Sequence, residues 1–341
     1  MARGSSAAGG RDAELDLLRQ IRRRVSTGAA VALGIGDDCA LLRIKDREQV
    51  AVTTDLSIDG RHFRLGWHPP EAVGHRTLAR GLSDLAAMGA RPLAAFVSLG
   101  LPKDLVQREG RRPAWVSRFY DGLLTLAARH KTPLAGGDLA ESPAALADIV
   151  LVGAVPRGRA LLRSAARAGD AIYVTGTLGG SAAGLDILSK LAKKRGGAPA
   201  AIRIPKRTSA LLHAHLYPEP RLAQGQWLQR RGLASAAIDL SDGLSTDLTH
   251  ICEESGLAAE VDSSAIPLGP GATLQQALHG GEDYELLFTA RPHLSVPGRL
   301  AGVPVTRIGR MALARHNTPL VMLLMDGEAR PLEPLGWQHF V

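Results

Sequence analysis

Aspartates stand beside small or hydroxyl-bearing residues at six places in this chain. These places are Asp37-Asp38, Thr53-Thr54-Asp55, Ser83-Asp84, Gly136-Gly137-Asp138, Asp239-Leu240-Ser241-Asp242 and Gly281-Glu282-Asp283. Any one of them could be an ordinary turn or helix cap, because Asp, Ser and Gly are frequent there. As a set they favour binding of a hard cation, since carboxylate and hydroxyl oxygens suit such ions and glycine lets the backbone approach a ligand closely.

Gathered carboxylates repel one another, and this repulsion indicates which ligand the set would need. Two like charges 4 Å apart cost roughly 4 kcal/mol at an effective dielectric constant near 20. Divalent cations would offset that cost. Mg²⁺ typically takes one or two carboxylates and completes its shell with water and substrate phosphates. The pattern therefore predicts a site for nucleotide phosphates and Mg²⁺.

Familiar motifs of other nucleotide-binding and hydrolytic enzymes are missing from the sequence. No Gly-Lys dipeptide occurs, which excludes a Walker A loop, and residues 176–181 do not match GxGxxG. That glycine-rich stretch could still present backbone amides to an anion at a helix start, or form a structural turn. The sequence also lacks HExxH, GxSxG and any CxxC spacing. We therefore nominate no catalytic nucleophile and no general base.

Composition narrows the class of protein. The length of 341 residues suggests about two domains. The net charge of +8 favours anionic ligands. Aromatic residues make up only 4%, a poor supply for stacking bases, so a basic RNA-binding protein is the less favoured, non-enzymatic alternative. Two distant cysteines fit a reducing compartment. With no signal peptide and no apolar run of membrane-spanning length, we expect a soluble cytoplasmic protein that binds no membrane.

Hydrophobic periodicity and punctuation by Gly and Pro predict elements of mixed α and β character in two domains. We expect a flexible tail over residues 1–12, an N-terminal domain over 13–156 and a C-terminal domain over 157–341. The predicted helices cover 14–25, 70–89 and 113–130, with others after 181 and from 244. The predicted strands cover 50–55, 92–101, 149–155, 171–175, 237–240 and 284–289. In this scheme four strand-like stretches end in small residues and an aspartate, namely Asp55, Asp138, Asp242 and Asp283.

Four polar residues, three histidines and one arginine, can each be interpreted in two ways from local sequence. His62 follows Asp55 closely and is either a ligand-binding residue or a loop histidine. Arg163 is either a phosphate contact or a solvated arginine. His213 and His215 are better interpreted as surface or core histidines than as metal ligands.

The exact sequences of several segments resemble those of the thiamine-monophosphate kinase family. That family belongs to a superfamily with aminoimidazole ribonucleotide synthetase, selenophosphate synthetase and a hydrogenase maturation factor. The matching segments are LGIGDDCALL (33–42), TTDLSIDGRHF (53–63), LSDLAAMGA (82–90), GGD (136–138), residues 163–169 with AIYVTGTLGGSAAGL (171–185), IDLSDGLSTDLTHI (238–251) and GGEDYELLF (280–288). LSDLAAMGA, IDLSDGL and GGEDYEL together are highly specific.

The resemblance implies ATP-dependent phosphorylation of thiamine monophosphate to thiamine diphosphate by direct in-line transfer, assisted by several Mg²⁺ ions. It implies a two-domain α+β fold whose N-terminal sheets pair in a homodimer, with ATP near that interface and a sandwich-like C-terminal domain. The implied metal ligands are Asp38, Thr53, Thr54, Asp55, Asp84, Asp138, Asp239 and Asp242. The implied ATP contacts are Gly137, Asp138, Arg163, Ser241 and Tyr120. The implied substrate contacts are His62, Glu282 and Trp337.

The chain departs from the family pattern in two places. Residues 162–168 read Leu-Arg-Ser-Ala-Ala-Arg-Ala where the family commonly has Thr-Arg-Ser-Gly-Ala-Lys-Pro. The aromatic residue expected over the thiamine could fall at Pro334 or Trp337, and we favour Trp337. Aminoimidazole ribonucleotide synthetase is the alternative enzyme. Selenophosphate synthetase is disfavoured because it would carry a reactive cysteine near the N-terminus, whereas the first cysteine here is Cys39.

Overall fold

The computed structural model describes residue 17 and residues 19–25, 28–35, 39–107, 114–194 and 206–337, with only the backbone of 206–209. Residues 19–24 are helical, within the helix predicted at 14–25. Asp38 and the predicted tail over 1–12 fall outside the described residues.

The helices are α1 Pro70–Ala87, α2 Lys103–Val106, α3 Trp115–Arg129, α4 Gly180–Lys193, α5 Lys206–Leu216, α6 Leu222–Arg231, α7 Leu244–Ser255 and α8 Leu274–His279. The strands are β1 Val31–Leu33, β2 Leu41–Leu42, β3 Glu48–Ile58, β4 Arg91–Leu101, β5 Leu134–Glu141, β6 Leu146–Pro156, β7 Ala171–Thr175, β8 Ala236–Asp239, β9 Leu257–Asp262, β10 Leu286–Ala290, β11 Arg299–Leu300, β12 Val303–Leu313, β13 Val321–Met325 and β14 Glu328–Pro331. The expected α+β class is confirmed. Single turns of 3₁₀ helix lie at Arg163–Ala165 and Ser263–Ala265.

The N-terminal half contains a four-stranded sheet in the order β3-β6-β4-β5. All its pairs are antiparallel except β4 with β5, which run parallel. Side chains alternate across the sheet, so Thr53 and Asp55 lie on the face towards α1, and Val52 and Leu56 lie on the other. Val52 is 62% exposed and Leu56 is 45% exposed. Among the described residues, the outer face is therefore exposed at its β3 edge, whereas Val31, Ala40 and Leu42 pack against its β4–β5 end.

Helices α1 and α3 cover the inner face of the four-stranded sheet and cross each other closely. A Cβ on Gly74 of α1 would lie 1.9 Å from the carbonyl oxygen of Phe119, and one on Gly122 of α3 would lie 1.8 Å from that of Glu71. Only glycine permits this approach. Fifteen of the residues of α1 are buried, an unusual extent for a helix carrying Arg, His, Ser and Asp. Its polar side chains must therefore find partners within the protein.

The C-terminal half contains an eight-stranded sheet in the order β14-β13-β9-β12-β7-β10-β8, with β11 paired to β12. Its pairs are antiparallel apart from β13 with β9. Helix α1 also packs against this half through α6, where a Cβ on Gly225 would lie 1.9 Å from the carbonyl oxygen of Ala86. Helix α1 is thus shared by the two halves of the described chain.

Most predicted elements agree with the structure to within a few residues. The strand predicted at 284–289 begins at Leu286, because Tyr284 has a left-handed φ of 52° that interrupts extended backbone. Helices α5 and α6 were not predicted, since the 206–231 region lacks a clean apolar period. The prediction that the strand ends at the aspartate is wrong for Asp55 and Asp138, because β3 continues to Ile58 and β5 to Glu141. Among the described residues, no helix is long and apolar enough to cross a membrane.

Candidate functional site

A cavity of about 430 Å³ lies between the two halves of the chain. The N-terminal half contributes β3, the segment that follows it and α1, whereas the C-terminal half contributes α4, β8 and the loop before β10. The lining residues are Asp55, Arg61, His62, Phe63, Arg64, His68, Arg80, Asp84, Ser181, Ala182, Leu185, His215, Asp239, Ser241, Asp242, Gly280, Gly281, Glu282, Tyr284 and Trp337. Of the fifteen residues predicted from sequence, eight therefore meet in this cavity: Asp55, His62, Asp84, Asp239, Ser241, Asp242, Glu282 and Trp337.

Helix α1 brings carboxylates from both halves to one wall of the cavity. The Thr53 hydroxyl of β3 donates a short hydrogen bond to Asp84 on α1. The neighbouring Ser83 hydroxyl donates to Asp239 at the end of β8, at 2.7 Å. Consecutive residues of one helix thus contact aspartate-bearing strands of two different sheets.

The carboxylates on this wall are harder to ionise than usual. Burial, with the nearby Asp239 and Asp55 charges, raises the pKa of Asp84 to about 7. Burial also raises the pKa of Asp239 to about 6, against the hydrogen bond from Ser83. Burial raises the pKa of Asp55, although Arg80 pairs with it at 3.1 Å and acts in the opposite direction. The wall would accept positive charge.

The carboxylates of Asp55, Asp84 and Asp239 do not form a tight cluster. Among the described residues, the group of three whose ligand atoms lie within 4.8 Å of one another is Asp242, Asp247 and His250. In that group, one Asp247 oxygen already accepts the backbone N–H groups of Asp242 and Gly243, at 3.1 and 3.0 Å, at the start of α7. The wider spacing of Asp55, Asp84 and Asp239 suits ions that each take one or two carboxylates.

Arg163 lies near the same wall, in the 3₁₀ turn between the two sheets. Its positive charge acts to lower the pKa of both Asp84 and Asp239. Arg163 is exposed yet acts on these carboxylates, and its role as a phosphate contact stays a prediction.

The opposite wall carries His62 and Glu282. The His62 Nδ1 accepts a hydrogen bond from the Ile58 backbone N–H at 3.1 Å, so a neutral ring carries its proton on Nε2. The Glu282 carboxylate accepts from Arg76 at 2.6 Å. Burial alone would raise the pKa of Glu282, but the charge and hydrogen bond of Arg76 outweigh it and hold this pKa below its usual value. Glu282 is therefore ionised at neutral pH.

The loop that carries Glu282 has a strained backbone. Glu282 and Tyr284 both adopt positive φ, 66° and 52°, which is unfavourable for residues other than glycine. Three anchors hold it. The Glu282 N–H donates to the Ser241 carbonyl at 2.7 Å, the Asp283 carboxylate accepts the N–H groups of Gly179 and Ser181 at the start of α4, and Arg221 pairs with Glu285. Such strain is typical of functional loops.

The C-terminal segment brings one of the two positions considered for the ring-covering residue to the cavity. Trp337 lines the cavity and is 45% exposed. Its backbone N–H donates to the Asp242 carbonyl at 3.1 Å, and the preceding Gly336 N–H donates to the Thr246 hydroxyl. Pro334 is not among the residues lining this cavity. The geometry favours Trp337.

A second cavity, of about 360 Å³, opens beside β5. It is lined by Gly137, Asp138 and Tyr120, three of the predicted ATP contacts, together with Cys39 and Phe96. A Cβ on Gly137 would lie 1.9 Å from the Val97 carbonyl oxygen, and its φ of 149° also favours glycine. Asp138 therefore lines a different cavity from Asp55, Asp84 and Asp239.

Thr54 is not brought to the carboxylate wall. It lies on the outer face of β3 with Val52, opposite to Thr53 and Asp55, so its side chain points away from Asp84. A ligand role there would have to use its backbone carbonyl. No such limit applies to Thr53, whose hydroxyl reaches Asp84.

Sequence reasoning missed several polar residues of the site, namely Arg61, Arg64, Arg76, Arg80, His68 and His215. They lie on α1, on α5 or in the segment before α1, and their partners are far away in sequence. The sequence of α1 contained a signal for some of them, because His75, Arg76 and Arg80 are polar residues within a largely apolar helix. His215 proves to be a buried core histidine and His213 an exposed one, in agreement with the interpretation favoured from sequence.

Comparisons with known proteins cover nearly the whole chain. Residues 36–161 match the family of AIR synthase related protein, N-terminal domain, and residues 167–317 match AIR synthase related protein, C-terminal domain. Thiamine-monophosphate kinase of Escherichia coli (strain K12) is 40% identical over 340 residues, covering 96% of this chain and 98% of that protein.

Two solved structures extend the likeness to three dimensions. Thiamine-monophosphate kinase from Stenotrophomonas maltophilia K279a aligns with a TM-score of 0.74 and 36% identity, over 93% of this chain and 97% of the other. AaThiL complexed with AMPPCP and TMP aligns with a TM-score of 0.73 and 32% identity, over 96% of each chain. The two matched family ranges meet between β6 and β7, where the N-terminal sheet ends and the C-terminal sheet begins.

Proposed function

This chain belongs to the thiamine-monophosphate kinase family, and on that premise we propose that it transfers the terminal phosphoryl group of ATP to thiamine monophosphate. The products are ADP and thiamine diphosphate. The observation that carries the proposal is the cavity itself, where carboxylates from both halves line one wall and His62, Glu282 and Trp337 line the rest. One wall suits cations with phosphates, and the other suits an organic substrate.

Mg²⁺ fits the carboxylate wall. Its donors are hydroxyl and carboxylate oxygens, which this hard cation prefers, and burial together with neighbouring carboxylates raises the pKa of Asp84 and leaves the wall in need of positive charge. Thr53, Asp55, Asp84, Asp239 and Asp242 would hold the ions, with Asp38, Asp138 and the Thr54 backbone as further proposed ligands. When bound, Mg²⁺ neutralises the charge on transferring phosphates.

We assign the nucleotide to the region between the second cavity and the carboxylate wall. Gly137 and Asp138 offer backbone and carboxylate groups at an exposed part of β5, and Tyr120 forms the buried back of the cavity. Arg163 and Ser241 lie at the carboxylate wall, where the phosphates would reach. The terminal phosphoryl group would then lie at the entrance to the first cavity.

Thiamine monophosphate is assigned to the first cavity. Its thiazolium ring is a cation, which suits the ionised Glu282, and an indole face such as that of Trp337 attracts both aromatic rings and cations. His62 completes this wall. The acceptor oxygen belongs to a phosphate that is already anionic, so it needs little deprotonation. Catalysis would consist of positioning and charge neutralisation.

The exposed part of the outer face of the N-terminal sheet supports the homodimer. Val50, Val52 and Leu56 of β3 are 48%, 62% and 45% exposed, Val52 pairs with Val152 of β6, and Val150 of β6 lies on the same face. Contiguous exposed apolar surface of this kind marks an association site. A second copy of this chain is the partner we propose. Within each chain, we propose that the N-terminal domain ends at residue 156 and the C-terminal domain begins at residue 157.

A coupled ADP-release assay tests the proposal. The purified protein is given ATP and Mg²⁺, with and without thiamine monophosphate, and the thiamine product is identified by chromatography. We expect ADP release that depends on thiamine monophosphate, with thiamine diphosphate formed in equal amount. Absence of substrate-dependent ADP would contradict the proposal. The formylglycinamidine substrate of aminoimidazole ribonucleotide synthetase, tested in parallel, should give none.

A further inference from the structure

We propose that Arg76 is a positioning residue for the acceptor substrate. From behind the cavity lining, it fixes the positions of His62 and Glu282 relative to each other. The inference rests on the proposed function, because it concerns the same cavity. Arg76 lies on α1, which both halves share, and its guanidinium contacts residues of both halves. Two of these residues, His62 of the N-terminal half and Glu282 of the C-terminal half, line the cavity.

The contacts of Arg76 are close and buried. Its Nη2 donates to the Glu282 Oε1 at 2.6 Å and to the His62 carbonyl oxygen at 3.2 Å. Its Nη1 donates to the carbonyl oxygen of His215. The Arg76 side chain is 5% exposed, so these acceptors replace the water that the cation has lost. One planar group therefore fixes the separation of the His62 backbone and the Glu282 carboxylate.

A chain of neutral side chains holds the other edge of Arg76. Its Nη1 lies 3.2 Å from the His215 Nδ1, which also lies 3.0 Å from the Ser181 hydroxyl. A guanidinium can only donate, and its Nη1 already has the His215 carbonyl oxygen as an acceptor. The His215 Nε2 lies 3.0 Å from the His68 Nε2, so one of these two nitrogens donates to the other.

Both histidines are held neutral. The His68 Nδ1 accepts a hydrogen bond from the Arg64 backbone N–H at 3.1 Å and lies 3.3 Å from the Arg64 carbonyl oxygen. Burial and the Arg76 charge lower the pKa of His68 to about 3 and that of His215 well below its usual value. The histidine pair therefore adds no positive charge, and Arg76 is the cation that pairs with Glu282, with the nearby Arg80 charge adding to its effect.

The strained backbone at Glu282 is the reason that this cavity residue needs the contact with Arg76. With φ at 66° and no glycine to relieve it, the residue needs contacts that hold its side chain as well as its backbone. The Glu282 Oε1 is taken by Arg76, whereas the Oε2 lies 3.9 Å from the His215 Nδ1, beyond hydrogen-bond length. The carboxylate is thus held through one oxygen while the residue lines the cavity.

Steady-state kinetics of Arg76→Lys and Arg76→Met test the inference. Losing a charge-assisted hydrogen bond should raise the KM for thiamine monophosphate by about 10- to 100-fold in Arg76→Met. We expect a smaller rise in Arg76→Lys, since an ammonium keeps the charge but lacks the planar set of donors. The KM for ATP should stay within about threefold of wild type in both variants, because the nucleotide residues do not contact Arg76.

Arg291→Met is the matched control. Arg291 pairs with Asp170, whose carboxylate is 1% exposed, at 3.0 Å, and neither residue lines the cavity. This variant should lose thermal stability while keeping both KM values. A merely structural role for Arg76 would give the same pattern as this control.

A double variant covers the case in which Arg76→Met does not fold. If Arg76 acts through Glu282, then Arg76→Lys added to Glu282→Gln should change the KM for thiamine monophosphate less than it does alone. An Arg76→Lys KM within twofold of wild type, or an additive double variant, would overturn the inference. Wild-type turnover is measured first, and its absence would contradict the proposed function instead.

Discussion

The Ser83 hydroxyl donates a hydrogen bond to the Asp239 carboxylate at 2.7 Å, joining α1 to the end of β8. Ser83 is fully buried and Asp239 is 3% exposed, so the bond is made away from solvent. It lowers the pKa of Asp239 against the effect of burial. A helix packed on the N-terminal sheet thereby tunes a carboxylate of the C-terminal sheet.

Removing that hydroxyl should weaken metal binding. In Ser83→Ala the pKa of Asp239 rises further, so protons compete better with Mg²⁺, and the Mg²⁺ concentration for half-maximal activity should increase by roughly 3- to 10-fold at pH 7. Titration of activity with Mg²⁺ at pH 7 and pH 8.5 measures this, and the higher pH should restore part of the loss. Thr77→Val, which removes a buried hydroxyl bonded within the same helix to the Val73 carbonyl, is the control.

Neutralising the carboxylates should abolish most turnover. Asp55→Asn, Asp84→Asn and Asp242→Asn each remove a proposed ligand charge, and we expect turnover at limiting Mg²⁺ to fall by at least roughly 100-fold. Asp46→Asn, on an exposed turn, should behave as wild type. If all three variants stay within a few-fold of wild type, the proposed metal site is wrong.

Without divalent ions, the ionisation of Asp84 should oppose folding. Its folded pKa is raised to about 7 from an ordinary value of 3.8, so the folded state binds the proton more tightly than the unfolded state. The free energy of unfolding therefore gains a contribution as pH falls from about 7 towards 4, at a slope of up to about 1.4 kcal/mol per pH unit. Asp84→Asn should be more stable than wild type at pH 8 and should lose this advantage near pH 4.

Urea unfolding in EDTA at several pH values measures that difference. A wild-type curve parallel to that of Asp84→Asn between pH 8 and pH 5 would contradict the raised pKa. Excess Mg²⁺ should reverse the order at pH 8, because binding to the folded wild type offsets the repulsion there.

Trp337→Ala should weaken binding of the acceptor. Loss of the indole face should raise the KM for thiamine monophosphate by about 10-fold and leave the KM for ATP unchanged. Pro334→Ala, three residues earlier in the same segment and outside the cavity lining, is the control. Equal effects of both changes would argue for a general role of the segment.

A charge on the outer face of β3 should block the proposed pairing of two chains. Val52→Asp places a carboxylate at a 62% exposed position of the outer sheet face, and the protein should become monomeric by light scattering. Leu313→Asp changes a residue that is 72% exposed on β12 and should leave the oligomeric state unchanged. Monomeric wild-type protein would refute the proposed homodimer.

Much of the local structure was predictable because it depends on local patterns. Strand β7 matches its predicted range of 171–175, and α1 departs from 70–89 only at its end, where Gly89 adopts a left-handed φ of 66°. Prediction failed where tertiary packing overrides local preference. Tyr284 leaves the expected strand, and Asp55 and Asp138 lie inside strands that continue beyond them.

By itself, the sequence determined the types of group available for chemistry: a set of aspartates beside glycines and hydroxyls, in segments whose sequences resemble a kinase family. It also determined the α+β class, since apolar residues recur with strand periods in some segments and helical periods in others. Only the tertiary structure decided which of those groups meet. Asp55, Asp84 and Asp239 line one cavity with Glu282, whereas Asp138 lines another and Thr54 points away. The physical reason is that buried side chains of α1 find partners far away in the chain: Ser83 bonds Asp239, 156 residues on, and Arg76 bonds Glu282, 206 residues on. Sequence spacing does not indicate which of these distant groups will meet.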